Sequence, residues 1–131
     1  MNEYELAKFF REELHINTDV DVTKHLTVTR YPSNITNYQS VRVDIVLKNK
    51  EHEIAIEHKE TWGIVEIERG IGQALINLLI YQESWLSIPE RALELVNPIL
   101  KMINIESFRI LDWENMRLYE LKNGEVVAKG L

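Results

Sequence analysis

The chain has 131 residues and a formal net charge of -6, from 21 acidic and 15 basic side chains. This charge excludes a protein that coats nucleic acid through a general excess of positive charge. It does not exclude a nuclease, because clustered acids are neutralised locally when they bind cations. The absence of cysteine excludes disulfides and thiolate metal sites, so any metal must be held by oxygen or imidazole.

Length and hydropathy predict one domain over residues 1–131, with a hydrophobic fraction of 45% that suits a packed core. The longest uncharged run, Gly70 to Gln82, is too short to cross a bilayer, so we expect no membrane partner. The first residues show no basic region followed by an apolar stretch, as a secretory signal requires. We therefore expect an intracellular, cytoplasmic protein.

The first part of the chain predicts a helix and then a strand. Apolar residues recur four positions apart within residues 2–15, at Leu6, Phe10 and Leu14. This spacing is typical of an amphipathic helix. A polar connection follows at residues 17–21, and the β-branched segment from His25 to Tyr31 predicts the first strand. Pro32, Ser33 and Asn34 predict a loop.

Two alternating segments, Val41 to Lys48 and Glu53 to Lys59, predict a β-hairpin with a charged turn between them. Ile64 to Tyr81 carries a broad helical repeat of apolar residues, with Gly70 and Gly72 near its start. These glycines either weaken that helix or permit close packing.

The remaining elements are a short strand, a helix that follows Pro89, and two final strands, at residues 85–88, 90–103, 108–113 and 117–121. Gly124 and Gly130 are expected to loosen the tail. The predicted order is α-β-β-β-α-β-α-β-β. This order indicates an α/β protein with a mixed central sheet flanked by helices.

The hairpin register predicts which side chains meet. A four-residue loop from Asn49 to His52 pairs Lys48 with Glu53, and the same register places Asp44 opposite Glu57. Four apolar residues are expected on the other face of the hairpin, at Val43, Ile45, Ile54 and Ile56. The two carboxylates are thus expected to be neighbours on one face.

Two facing carboxylates destabilise a sheet unless a positive charge lies between them. Oxygen donors with retained waters suit Mg²⁺ or Mn²⁺ better than Zn²⁺. Lys59, two residues after Glu57 on the same face, is placed to orient water or to stabilise charge on a phosphoryl group. Asp44, Glu57 and Lys59 thus form the minimum set for metal-assisted phosphodiester hydrolysis. The simpler interpretation is a solvated hairpin face on which Arg42 pairs with one acid.

The segments Val41–Val46 and Ala55–Lys59 resemble the PD-(D/E)xK nuclease superfamily, in which an Asp on one strand faces Glu-x-Lys on the next. Gly70 to Leu75 is similar to the Gln-bearing helix that follows in many members. The resemblance runs from the first helix to about Trp113, and its central forty residues are the specific part. It implies a restriction-endonuclease-like fold. Val43 stands where many members have proline.

The resemblance implies that Asp44, Glu57 and the backbone carbonyl of His58 bind Mg²⁺ or Mn²⁺, with Lys59 catalytic and Gln73 assisting. The small size is similar to that of archaeal Holliday-junction resolvases, which implies a homodimer acting on DNA. Many members also place a Glu on the first helix, and Glu13 is the favoured candidate here.

Three residues near these positions have separate expectations. Tyr81 follows Gln73 by eight residues rather than the four of Gln-x-x-x-Tyr versions, which is a departure from the family's pattern. Strand parity directs the His58 side chain to the opposite face, where a satisfied, partly buried histidine is expected. Trp62 is expected in a loop that approaches DNA.

Three functions follow from these patterns. The first is a metal-dependent endonuclease that hydrolyses DNA, of junction-resolving, repair or restriction type. The second is a nuclease fold that no longer cuts and serves as a nucleic-acid-binding or protein-interaction subunit. The third, an unrelated α/β interaction domain, predicts that Asp44, Glu57 and Lys59 diverge in space.

Overall fold

The structure, a computed structural model, describes residues 1–30 and 35–131, and for residues 28–30 and 35–38 it describes the backbone alone. The strands are β1 (Asn17–Arg30), β2 (Ile35–Asn49), β3 (His52–His58), β4 (Glu83–Ile88), β5 (Phe108–Asp112), β6 (Arg117–Lys122) and β7 (Glu125–Gly130). The helices are α1 (Glu3–Glu12), α2 (Ile64–Asn77) and α3 (Leu93–Ile103), the last preceded by a 3₁₀ turn at Glu90–Ala92. The protein is therefore of mixed α/β class.

The seven strands form one mixed sheet in chain order, in which β4 is parallel to both β3 and β5 and all other neighbours are antiparallel. Helix α1 covers one face, and α2 and α3 cover the other. Trp85 of β4 packs in the cluster under α1, whereas Leu86 packs in the cluster under α2 and α3. Across residues 1–30 and 35–131, no helix is both long and apolar enough to cross a membrane.

A capping box determines where α1 begins. The Asn2 side chain accepts a hydrogen bond from the backbone N–H of Glu5, and the Glu5 carboxylate accepts one from the backbone N–H of Asn2. Leu6, Ala7 and Phe10 are then buried against the sheet. The helix therefore starts at Glu3, which places this residue at the end of α1 nearest the chain terminus.

Strand β1 begins at Asn17, so the predicted polar connection at residues 17–21 is wrong. Asn17 pairs with Lys48 of β2, and Lys48 Nζ lies 2.7 Å from Asp19 Oδ2. Pairing with a long partner strand outweighs the low intrinsic β-propensity of Asn and Asp. Tyr31 and the predicted loop at Pro32, Ser33 and Asn34 lie outside the described residues.

The predicted register of the β2–β3 hairpin is confirmed as far as Ile45, and the expected pairing of Asp44 with Glu57 is not part of the ladder. Lys48 pairs with Glu53, and the ladder continues to Ile45 opposite Ile56. Asn49 and His52 also pair, so the turn is shorter than the predicted four residues.

The prediction that Val43 shares a face with Ile45 is wrong. Val43 packs with Val46, Ala55 and Tyr81, whereas Ile45 packs under α1. Asp21, opposite Asp44 in the register, has φ 51°, and the ladder between β1 and β2 is interrupted at this pair. A left-handed residue inside a strand changes the direction of the chain, so the alternation of faces does not continue through it.

Two further boundaries differ from prediction. Helix α2 ends at Asn77 rather than at Tyr81, because turns with three-residue spacing follow it, such as Ile80 N to Asn77 O. The tail forms an additional strand, β7, that pairs with β6. Asn123 and Gly124 both have positive φ, which is the geometry of a two-residue hairpin turn.

Candidate functional site

The structure brings Asp44 and Glu57 together where β2 and β3 separate. After the Ile45–Ile56 pair, the Asp44 carboxylate accepts a hydrogen bond from the backbone N–H of His58 at 2.9 Å. This bond holds Asp44 beside Glu57, which is only 2% exposed. Two carboxylates from adjacent strands therefore share one partly buried position.

The environment of Glu57 disfavours its ionised form. Burial, and then the negative charge of Asp44, raise the pKa of Glu57 to about 8. A hydrogen bond from Asn77 Nδ2 to Glu57 Oε1, 3.1 Å long, and the positive charge of Lys59 act in the opposite direction. In the metal-free protein, burial and the charge of Asp44 therefore outweigh the two contacts that stabilise the ionised carboxylate of Glu57.

Helix α1 adds one acid, Glu3, to the acidic cluster that contains Asp44 and Glu57. Partial burial, followed by the charges of Asp44 and Asp21, raises the pKa of Glu3 to about 7. Arg42 contacts the same acids: it lies 3.5 Å from Glu3 and 3.9 Å from Asp44, and it forms an ion pair with Asp21. The cluster thus contains a positive charge in addition to Lys59.

Glu13, the acid favoured from the sequence, is the exposed residue that ends α1. The ten residues of α1 separate it from Glu3 by about 15 Å along the helix. The expectation for Glu13 is therefore wrong. Amphipathic spacing indicates which face of a helix is buried, but it does not indicate which end of the helix lies near the site.

The His58 side chain is buried on the α1 side and both of its ring nitrogens have partners. Nε2 lies 2.7 Å from the Met1 carbonyl oxygen and Nδ1 lies 2.9 Å from Ser87 Oγ. Since a carbonyl only accepts, Nε2 carries the proton, and burial lowers the pKa of His58. This confirms a satisfied histidine. Its bond to Met1 holds the start of α1, and therefore Glu3, near the site.

The His58 backbone faces the acids. Lys59 N donates to Ser87 O at 2.8 Å, so in the parallel β3–β4 ladder the N–H and C=O of His58 point away from β4. The N–H reaches Asp44. The carbonyl points the same way, since both backbone groups of one strand residue lie on the same side.

Lys59 is positioned by its backbone and by a glycine on α2. Trp113 Nε1 donates to the Lys59 carbonyl at 3.0 Å. A Cβ placed on Gly70 would lie 3.2 Å from two carbons of the Lys59 side chain and 2.7 Å from Leu86 Cδ1. Glycine at position 70 therefore leaves the space through which the lysine stem passes toward Glu57.

We expect Gly70→Ala to destabilise the protein by about 1–3 kcal/mol and to lower activity, because the methyl group must displace Leu86 and Lys59. Gly72→Ala is the matched control, since a Cβ there meets nothing within 4 Å. It should stabilise the helix by about 0.5–1 kcal/mol. Urea denaturation measures both, and equal effects of the two substitutions would contradict the packing role of Gly70.

The residue of α2 that contacts Glu57 is Asn77, and sequence reasoning missed it. Gln73 is exposed on α2, one turn before Asn77. Asn77 stands four residues after Gln73, where Gln-x-x-x-Tyr versions of the resembled pattern carry tyrosine, and this spacing was the available signal. Tyr81 is 4% exposed and packs against Val46 and Ala55. It is a core residue.

A cleft of about 870 Å³ lies beside Lys59, between the loop after β3 and the 3₁₀ turn before α3. Its lining includes Trp62, which is 56% exposed, together with Ile64, Arg91 and Leu95. The cleft lies at the carboxyl ends of the parallel strands β3 and β4, the usual place for ligands in open α/β sheets. The loop carrying Trp62, which follows Lys59 in the chain, thus borders this cleft.

No protein-family model matches the chain, and no curated protein matches it. Among solved structures, it is similar to AF1548, a protein of unknown function, with 14% identity over 86% of this chain and a TM-score of 0.48. It is also similar to SSO0001, with 11% identity over 97% of this chain and a TM-score of 0.47. The chain covers 56% and 46% of these two chains, respectively.

Proposed function

We propose that the protein is a metal-dependent endonuclease that hydrolyses phosphodiester bonds in DNA, with a fold of the PD-(D/E)xK type. The observation that carries the proposal is the pair of Asp44 and Glu57, which share a partly buried position although their charges repel. A scaffold has no need for this arrangement. A domain of unrelated function would have no reason to gather these acids with Lys59.

A divalent cation fits the donor set. Asp44 and Glu57 supply neighbouring carboxylates, and the His58 carbonyl lies on the same side of β3 as the N–H that contacts Asp44. Mg²⁺ or Mn²⁺ is bound in proteins by one or two carboxylates with retained waters. In the part of the chain described, no three His, Cys, Asp or Glu side chains form a metal-holding group by themselves. A site with two carboxylates is compatible with that finding. When bound, the ion would polarise the phosphoryl oxygen and lower the pKa of a bound water.

The other residues have separate roles in the proposed reaction. Lys59 donates hydrogen bonds to the phosphoryl oxygens, where negative charge increases as water attacks phosphorus. Asn77 orients the Glu57 carboxylate through its bond to Oε1. Glu3 and Arg42 surround Asp44, and Arg42 is an exposed positive charge within reach of an adjacent phosphate. Each of these groups acts from its own element, so their arrangement depends on the fold.

The test is cleavage of labelled linear, single-stranded and four-way-junction DNA with Mg²⁺, Mn²⁺ or a chelator. We expect metal-dependent cleavage that falls about 100-fold in Lys59→Met, which keeps the stem that packs on Gly70 and removes the charge. Lys122→Met is the control, because Lys122 is exposed on β6.

Binding of DNA without cleavage under every metal condition would instead indicate an inactive nuclease fold that serves as a binding subunit. We further propose a homodimer, because cutting both strands of a duplex suits two symmetric sites. Sedimentation equilibrium measures this directly, and a monomer at working concentration would contradict it.

A further inference from the structure

Strands β1 and β2 extend beyond the rest of the sheet as a two-stranded ribbon. We define the ribbon as Val22–Arg30 paired with Ile35–Val43. Strand β3 pairs with β2 only over Ile45–Asn49, so within residues 1–30 and 35–131 no third strand continues along the ribbon. At about 3.4 Å per residue, the nine residues of each strand span about 30 Å.

The ribbon differs in charge from the rest of the chain. Residues 22–43 contain three basic residues and no acidic residue, whereas the remainder holds the other 12 basic residues and all 21 acidic residues. The ribbon is thus a positive segment of a protein with net charge -6. A segment of positive sign attracts a polyanion more than the acidic remainder of the chain does.

Among the described side chains of the ribbon, those on one face are polar and exposed. Thr23 pairs with Arg42, and His25 pairs with Ser40, with His25 Nδ1 3.3 Å from Ser40 Oγ. Together with Thr27, these side chains are exposed. They supply hydroxyl, imidazole and guanidinium groups, which donate and accept hydrogen bonds at base edges and phosphates.

The opposite face of the ribbon is partly covered at its base. Val22 and Val41 pack against the cluster that contains Val43 and Tyr81. The polar face, by contrast, leads to the acidic cluster, because Arg42 contacts Glu3, Asp21 and Asp44. A polymer lying along the polar face would therefore reach the site.

We infer that the ribbon binds duplex DNA by lying in the major groove with its Thr23–His25–Ser40 face toward the bases, which directs the adjacent backbone to Asp44 and Glu57. The inference rests on the proposed nuclease function and specifies its substrate as B-form duplex. The major groove of B-DNA, about 12 Å wide, admits a two-stranded β-ribbon, whereas the deep and narrow major groove of A-form RNA does not.

The test compares Ser40→Glu with Gln39→Glu. Both introduce one negative charge at adjacent exposed positions of β2, but strand alternation places them on opposite faces of the ribbon. Binding of a fluorescent 20-base-pair DNA duplex is measured in Ca²⁺ at several salt concentrations. We expect Ser40→Glu to weaken binding by about tenfold more than Gln39→Glu, with a smaller salt dependence than the wild type.

Each of the following binding results would overturn the inference: equal weakening by the two substitutions, absence of duplex binding by the wild type, or equally tight binding of an RNA duplex of the same sequence. A second assay, hydrolysis of the small phosphodiester bis(p-nitrophenyl) phosphate with Mn²⁺, distinguishes failure of the ribbon inference from failure of the proposed nuclease function. That substrate is too small to use the ribbon, so Ser40→Glu should hydrolyse it at the wild-type rate. Loss of this activity in Ser40→Glu would also overturn the inference.

Discussion

Glu57→Gln is expected to lower metal-dependent DNA cleavage about 1,000-fold or more and, in the absence of metal, to increase the free energy of unfolding at pH 8 by about 4 kcal/mol. Activity falls because the amide is a poor ligand for a hard divalent cation. Stability rises because glutamine keeps an oxygen for the hydrogen bond from Asn77 but removes the charge that burial and Asp44 disfavour. Cleavage assays and urea denaturation in chelator measure the two effects.

A fall in cleavage together with a rise in the free energy of unfolding distinguishes a functional carboxylate from a structural one. A structural Glu57 would lose stability on substitution, as a partner in a buried hydrogen bond normally does. Glu68→Gln is the control, since Glu68 is exposed on α2 and should change neither quantity. A Glu57→Gln protein that cuts DNA at the wild-type rate would exclude this residue from the reaction.

The second expected result is that the metal-free protein loses about 4 kcal/mol of stability as the pH rises from about 4.5 to 8. The pKa of Glu57 is raised from 4.5 to about 8 in the folded protein, so the folded state binds this proton more tightly than the unfolded state. The resulting stability is fully present below pH 4.5. It decreases by at most about 1.4 kcal/mol per pH unit and is lost as the pH passes through about 8.

The groups that face Glu57 determine this dependence. Asp44 on β2 raises the pKa of Glu57, and Asn77 on α2 and Lys59 after β3 act against that rise. Glu3 on α1, whose pKa is raised to about 7, contributes with the same sign but is only partly buried. Glu57→Gln should therefore remove most of the pH dependence of stability. The smaller part that Glu3 contributes should remain.

Addition of Mg²⁺ should reverse the loss of stability at pH 8. A ligand that binds only the folded state at 100 times its Kd stabilises that state by about 2.7 kcal/mol. The stabilisation should be larger at pH 8 than at pH 5, because the carboxylates must be ionised to bind the ion. Urea denaturation at the two pH values, with Mg²⁺ or with chelator, measures this. A Mg²⁺ effect that is equal at both pH values would contradict binding at Glu57.

Local patterns were sufficient to predict most elements and the register of the hairpin. The alternation in residues 41–48 and 53–59 specifies two strands, and only one register buries the apolar face of both. That register runs as predicted from Lys48–Glu53 to Ile45–Ile56, so the proximity of Asp44 and Glu57 follows from short-range sequence information.

Local patterns were insufficient where long-range contacts decide the geometry. Asn17 to Asp21 has a composition typical of a loop, yet it forms part of β1 because β2 supplies the backbone partners. The β1–β2 ladder is interrupted at Asp21, which has a positive φ, and beyond this interruption Val43 packs in a different cluster from Ile45. Gly124 and Gly130 predict a loose tail, whereas Asn123 and Gly124 form the turn of the last hairpin because β6 supplies the backbone partners of β7.

The sequence by itself determined the α/β class and the adjacency of Asp44 and Glu57, because hydrophobic period and hairpin register are properties of neighbouring residues. Only the tertiary structure decided that Glu3 rather than Glu13 joins Asp44, that Asn77 contacts Glu57, and that Gly70 accommodates Lys59. These contacts join elements far apart in the chain. The packing of helices on the sheet sets which end of each helix meets the site, and periodicity along one helix carries no information about that end.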